Sequence, residues 1–307
     1  MLNPSIALDA RYTNRIRQGL LDLPVLSVAV PVLPDDYVER AGSVELFLPD
    51  GTKVQANCGV HRFGGAWTTF AKKNYRLQFR REYGDDKLRA PLLQGFDRGF
   101  LVEDAFDSLD LLGGSHDMID RGFYMSSRFV EDAMLDMGSL NPHGRFVNLF
   151  INGVYWGQYN LRERLVDVFL ADYLGGATTN YVTVRGNDNV ASDNFIPGTP
   201  EPPLRYPWDR ARALRTSYDA VKPYVDVPHL TDFMLLWWYG NCESEYRAAG
   251  SVEAGSGFKF WIADADGFLR TSALTLNYTQ SSGPGNLFGG LTNEMHVDFK
   301  TLVADRI

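Results

Sequence analysis

Cysteine is nearly missing from this chain. Cys58 and Cys242 are the only two among 307 residues. They form no CxxC pair and no metal spacing, and both read as plain buried or half-buried thiols. Histidine is scarce as well, with five scattered residues and no HxxxH or HExxH, so a zinc hydrolase is unsupported. No GxSxG elbow marks a serine nucleophile. No apolar run approaches the length of a membrane span. Positive charge is in deficit: a formal net charge of −8 argues against a nucleic-acid binder, while leaving room for a local basic site for a phosphorylated ligand. The first residues, MLNPSIALDARYTNRIRQG, show no basic segment followed by an apolar stretch, so no signal peptide is read here. No internal repeat is visible.

What the chain does have is core material, 45% hydrophobic and 13% aromatic, enough for one large domain or two smaller lobes. The first part reads as strands. LPVLSVAVPVLP is a β-rich run bounded by prolines, and SVELFLPDGTKV is a hairpin turning on Pro-Asp-Gly. CGVHRFGG alternates and breaks on Gly64-Gly65. KKNYRLQFR alternates with Tyr75, Leu77 and Phe79 on one face. From about Ile119 to Met137 the spacing turns helical, with Phe123, Val130, Met134 and Met137 on one side and Gly138 as the stop. RFVNLFINGVYWGQYNLRERL is a second hairpin, in which Asn152-Gly153 fits a type I′ turn. Residues 185–209 are rich in Gly, Asn, Pro and Asp and read as a long exposed loop. ALRTSYDAVKPYV and HLTDFMLLWWYG read as helices, GSGFKFWIADADG as a glycine turn and a strand, and HVDFKTLVADRI as the start of an amphipathic helix. The sum is an α+β chain with a β-rich first part and a helix-rich second part.

Several polar constellations bear on chemistry. A strand running into Asp264-Ala265-Asp266 puts both carboxylates on one face, because strand side chains repeat every two residues. Such a pair repels unless a cation lies between, and oxygen-only ligands suit Mg²⁺, Ca²⁺ or Mn²⁺. The same letters also fit a solvated turn. Upstream, Asn241, Glu243, Glu245 and Arg247 follow an apolar helix directly. Polar loop, glycine turn, strand and then Asp is the order in which protein kinases place their catalytic loop and metal-binding Asp. Lys72 and Lys73 open a strand after a glycine-containing turn, where a lysine can reach nucleotide phosphates or simply meet solvent. Glu131, Asp132 and Asp136 on the first helix are acids able to pair a lysine. Glu163 lies between Arg162 and Arg164, as an ion-pair residue or a ligand-facing carboxylate. Trp67, Trp156 and Trp208 offer stacking platforms for a glycan if they are exposed.

Taken in order, these blocks resemble the CotH kinase family, the spore-coat-type secretory kinases of bacteria that also occur in some fungi. SVELFLPDGTKVQANCGVHRFGG is similar to the family's first strands and glycine turn. KKNYRLQFRREYGDDKLRAPLL is similar to its lysine block. RFVNLFINGVYWGQYNLRERLVDVFLADYLGG is the most specific match, and GFKFWIADADGFLR resembles the aspartate block. The resemblance runs from about residue 24 to the end. It implies an atypical protein-kinase-like, two-lobed fold: a single CotH-like domain over 1–307, cut short at its C-terminus, with a β-rich N-lobe at about 24–165 and a helical C-lobe at about 166–307. It implies ATP with Mg²⁺ or Mn²⁺, transfer to hydroxyls of a coat or surface protein, and a secreted or cell-surface location. Carried over by position, Lys72 or Lys73 holds the α/β-phosphates, and Arg121 and Glu163 fall on strongly patterned positions of the nucleotide side. Asp264 binds the metal with Asp266 beside it, and Asn241 and Glu243 stand in the catalytic loop. The chain departs from the family where Glu243 replaces an Asp and Glu245 the metal-binding Asn. Those departures leave open a pseudokinase or a cell-surface structural or binding module.

Overall fold

The computed structural model describes residues 4–64, 70–84, 86–114, 124–186, 206–241, 245–251, 255, 257–263, 265–269, 275 and 277–307. The chain divides into two units, one of residues 1–115 with 142–164, the other of residues 116–141 with 165–307.

The first unit begins with two short helices, α1 (Pro4–Ala7) and α2 (Thr13–Asp22). Its strands follow as β1 (Val25–Ala29), β2 (Arg40–Phe47), β3 (Lys53–Phe63), β4 (Asn74–Gln78), β5 (Leu88–Arg89), β6 (Ala105–Phe106), β7 (Ser108–Leu112), β8 (Gly144–Ile151) and β9 (Val154–Glu163). Seven of them close a barrel in the order β1-β2-β3-β4-β7-β9-β8. Closure falls on a parallel pair, β1 against β8, with Val25 opposite Asn148 and Val28 opposite Ile151. Alternating apolar residues fill the interior. Leu26, Val44, Leu46, Tyr75, Leu77, Leu109, Leu111, Leu149, Tyr159 and Leu161 are each buried, and each such side chain contributes roughly 1.5–3 kcal/mol on leaving water.

Both expected hairpins form. At the first turn, Leu48 N–H donates to Thr52 O at 2.9 Å and Gly51 takes a φ of +91°. At the second, Asn152 and Gly153 adopt φ of +50° and +77°, the pair of left-handed residues that a type I′ turn requires. Asn152 does more than turn the chain. Its Oδ1 accepts from Val30 N–H and its Nδ2 donates to Val30 O, both at 2.9 Å. This side chain extends the β1–β8 pairing beyond the end of the strand.

The second unit contains α3 (Ser126–Asp136), α4 (Asp167–Leu174), β10 (Tyr181–Arg185), α5 (Tyr206–Ala213), α6 (Tyr218–Val221), α7 (Val227–Tyr239), β11 (Tyr246–Ser251), β12 (Lys259–Ile262), α8 (Leu287–Glu294) and α9 (Val297–Arg306). The strands form one antiparallel sheet, β10-β11-β12. The apolar stripe of α7, Leu230, Phe233 and Met234, packs into a core with Trp208, Phe258 and Phe260. Asp226 caps α7, its Oδ1 accepting from His229 N–H at 3.0 Å.

Two sequence expectations are met in part. Of the helix expected from about Ile119 to Met137, Ser126–Asp136 is helical and stops as expected, with Gly138 at φ +81°; Tyr124 just before it sits at φ +69°, and the expected start, Phe123 included, lies outside the described residues. The loop expected over 185–209 is shorter at both ends, since β10 runs through Arg185 and α5 begins at Tyr206. Trp208 is completely buried, because one turn of α5 turns it into the core. That removes it as a stacking platform. Trp156 is half-buried, edge-on to Tyr75 at 6.4 Å and 85°, and Trp67 lies outside the described residues.

Candidate functional site

In the first unit the lysine pair stands immediately before β4. Lys72 is folded back onto the barrel. Its Nζ donates to Gln158 O at 2.5 Å and lies 4.4 Å from the centre of the Tyr159 ring. Burial pushes the Lys72 ammonium down to about 8, since a charged amine loses hydration there. Lys73 is half-buried. β7 leaves the sheet close by: a Cβ on Gly113 would meet Lys73 O at 3.0 Å, and Gly113 N–H donates to Asn74 Oδ1 at 2.7 Å. A side chain there would need its neighbours to give by a few tenths of an ångström.

Glu163 ends β9 and is 5% exposed. Its Oε2 accepts from His143 N–H at 2.8 Å and lies 2.9 Å from His143 Nδ1. His143 Nε2 is 3.3 Å from Asp97 O, and Phe100 packs edge-on to the imidazole. The carboxylate is therefore engaged inside the barrel unit. Arg121, the other residue expected on the nucleotide side, lies outside the described residues.

In the second unit Asn241 follows α7 and Gly240 in a left-handed turn, φ +46°. Two backbone hydrogen bonds tie this turn region to the acid-bearing segment. Ala263 N–H donates to Glu245 O at 2.8 Å, and Leu269 N–H donates to Gly240 O at 2.9 Å. Between these two bonds the chain passes through 264–268. The Phe268 ring lies so close over Gly240 that a Cβ there would come within 2.0 Å of it. Asn241 and Glu245 are thus held beside the segment that carries Asp264 and Asp266. Asp264 itself and the Asp266 side chain lie outside the described residues, as does Glu243. Glu245 is exposed.

The strand argument for the aspartates does not hold. β12 ends at Ile262, and Ala265–Gly267 is a 3₁₀ turn, so two-residue alternation does not relate the two acids. Oxygen donors still dominate the segment, with Asn241, Glu245, Asp264 and Asp266 in sequence reach, a set that suits Mg²⁺ or Mn²⁺. Among the described residues no group of three or more His, Cys, Asp and Glu forms a cation site, and no helix is long and apolar enough to cross a membrane.

Of the helix acids, Glu131 and Asp132 pair with Arg128 on α3, at 3.0 Å and 2.7 Å. Sequence reasoning missed His143 and Gln158, the partners of Glu163 and Lys72. In the observed register, shifted at Leu149/Phe150, Glu163 lies one residue beyond the Gly144–Arg162 pair, opposite His143.

No curated protein matches the chain. The family model described as CotH kinase protein matches residues 60–203, a stretch that includes Lys72, Lys73, Arg121 and Glu163 and ends before Asn241. Over that stretch, just under half of the chain, with the lysine block and the Asn-Gly hairpin both inside it, the chain is similar to the CotH kinase family.

Proposed function

We propose that this protein is a CotH-like kinase that binds ATP with a divalent metal and phosphorylates protein hydroxyls. The observation that carries the reading is the pair of backbone bonds, Glu245 O to Ala263 N–H and Gly240 O to Leu269 N–H. They tie Gly240 and Glu245, on either side of 242–244, to Leu269 and Ala263, on either side of the aspartate segment, which supports the juxtaposition that phosphoryl transfer needs between catalytic loop and metal ligands. In this reading the barrel unit is the N-lobe and the second unit the C-lobe of a two-lobed, kinase-like fold. The lobes correspond to about 24–165 and 166–307, apart from the helix contributed by 116–141.

Lys72 and Lys73 bring positive charge to the phosphates, with Arg121 on the same side. Glu163 orders the end of β9 through His143. Asp264, Asp266 and Glu245 would hold Mg²⁺ or Mn²⁺, which would supply charge neutralisation on the transferring phosphoryl group. Asn241 and Glu243 flank the acceptor: the hydroxyl oxygen bonds to phosphorus as the bond to ADP breaks, and Glu243 takes the hydroxyl proton. The acceptor class is a coat or surface protein, and the location secreted or cell-surface, both on family grounds.

The test is thermal unfolding with ATP plus Mg²⁺, Mn²⁺ or EDTA. A ligand at a hundredfold excess over its Kd stabilises by about 2.7 kcal/mol, so a metal-dependent upward shift is expected and Asp264→Ala should abolish it. A folded chain with no shift overturns the reading. A second reading, a pseudokinase, is favoured by Glu243 and Glu245 standing where the family has Asp and Asn. A glutamate is about 1.5 Å longer than an aspartate, and a misplacement of about 1 Å costs about 10²-fold in rate. Transfer of labelled phosphate to the chain or to a coat-like protein decides between the two.

A further inference from the structure

The segment that leads from the aspartates to α8 carries an exposed side-chain pair that phosphoryl transfer does not use. Only two asparagines of the chain are followed, two residues on, by a serine or threonine: Asn3-Pro4-Ser5 and Asn277-Tyr278-Thr279. Proline in the middle position removes the first, since the Asn-x-Ser/Thr acceptor motif excludes it there. We propose that Asn277 is an acceptor of an N-linked glycan, taken from a polyisoprenyl-pyrophosphate-linked oligosaccharide. The proposal rests on the secreted or cell-surface location read above and uses nothing of the kinase chemistry.

The geometry singles out this asparagine. Asn277 and Thr279 are both exposed, as a glycan acceptor must be. Asn277 Oδ1 accepts from Thr279 N–H at 3.0 Å and from Thr279 Oγ1 at 2.6 Å. The two groups that define the motif, amide and hydroxyl, are thus in contact in the folded chain. Both bonds use the amide oxygen. Among the described residues nothing accepts from Nδ2, the atom that would carry the sugar.

The backbone after Asn277 is anchored without its side chain. Ser281 N–H donates to Tyr278 O at 2.9 Å, and Gly289 N–H on α8 donates to Ser282 O at 3.0 Å. A bulky polar group on Nδ2 therefore extends into water and displaces no core contact of the described residues. In the transfer, Nδ2 forms a bond to the anomeric carbon of the first sugar as the bond from that carbon to the pyrophosphate oxygen breaks. The pyrophosphate keeps the electron pair, and one Nδ2 proton passes to a base of the transferase. The same two Thr279 bonds also build an Asx turn, which needs no glycan, so the test must read the modification itself.

That test leads the full chain, behind a cleavable signal sequence, through the secretory pathway of a cell that makes this donor. The secreted protein is weighed before and after an amidase that removes N-linked glycans. The expected result is a protein heavier than its polypeptide, returned to polypeptide mass by the amidase with aspartate left at position 277. Asn277→Gln and Thr279→Val should lose the addition, and Thr279→Ser, which keeps the hydroxyl, should retain it. A folded, secreted chain of bare polypeptide mass overturns the proposal and leaves the pair as a turn. So does an addition that survives in Asn277→Gln. Mass is read without nucleotide, so this result stands or falls apart from the thermal test with ATP.

Discussion

Glu163 receives two approaches from a single residue: the backbone N–H of His143 at 2.8 Å and the ring Nδ1 of the same histidine at 2.9 Å, both on Oε2. Both side chains are almost wholly out of water. Removing one partner leaves a buried polar group with its desolvation cost and nothing in return. Glu163→Ala should therefore destabilise the protein by about 2–4 kcal/mol, read as a lower urea midpoint. Glu163→Gln, which keeps an acceptor for the backbone N–H, should lose less than half of that.

His229 predicts a pH dependence. It is fully buried; its Nδ1 accepts from Phe260 N–H at 3.2 Å and its Nε2 donates to Leu140 O at 3.0 Å, so the neutral ring satisfies both. Burial foremost, with the charge of Lys259 and against the pull of Asp226, pushes it down from 6.5 to about 4. Between those values the unfolded chain binds the proton and the folded protein does not, so stability falls as pH drops from 6.5 towards 4. The loss is on the order of 3 kcal/mol. Above pH 6.5 this group contributes no slope. Calorimetry of His229→Gln should show a shallower decline over the same window.

At the end of the second unit, Asp232 has no solvent exposure, accepts from Ser139 Oγ at 2.6 Å, and pairs with Arg306 in the last turn of α9. Arg306→Met should cost about 2–4 kcal/mol, because it strands a buried carboxylate. Adding Asp232→Asn should restore part of that. Equal losses in the single and double variants, measured by denaturant unfolding, would count against the pair.

Asn152→Ala tests the hairpin clamp. Alanine resists φ of +50°, and the two bonds to Val30 disappear with the side chain. The expected cost is about 1–3 kcal/mol, accompanied by faster amide exchange at Val30.

The sequence was legible where one residue type forces one geometry. Asn152-Gly153 dictated its turn, Pro49-Asp50-Gly51 marked the other, and Tyr75 and Leu77 showed the buried face of β4. Closure of the barrel was not legible, because a parallel β1–β8 pair joins segments with no local signal between them. The partner of Glu163 was hidden by one residue of register. Counting back from the two-residue turn puts Pro142 opposite Glu163, and the irregularity at Leu149/Phe150 shifts the ladder so that His143 takes that place. The candidate site was legible as an order of blocks. Strand alternation did not reach the aspartates because β12 stops at Ile262, two residues before Asp264. Nothing in its composition set Trp208 apart from a surface tryptophan, since the loop-like letters before it conceal the start of α5.

The two units are interleaved along the chain, and this orders events during synthesis. Residues 116–141 belong to the second unit but are made before β8 and β9 of the first. Val30 and Asn152, which seal the barrel, are 122 positions apart. As the chain leaves a ribosome, β1 to β7 must wait with an open edge while α3 emerges. α3 must then wait, with Val130 and Met134 uncovered, until Leu230, Phe233 and Met234 of α7 follow. Each unit thus has an interval in which apolar surface or unpaired strand faces the cell, the condition under which nascent chains engage chaperones or aggregate.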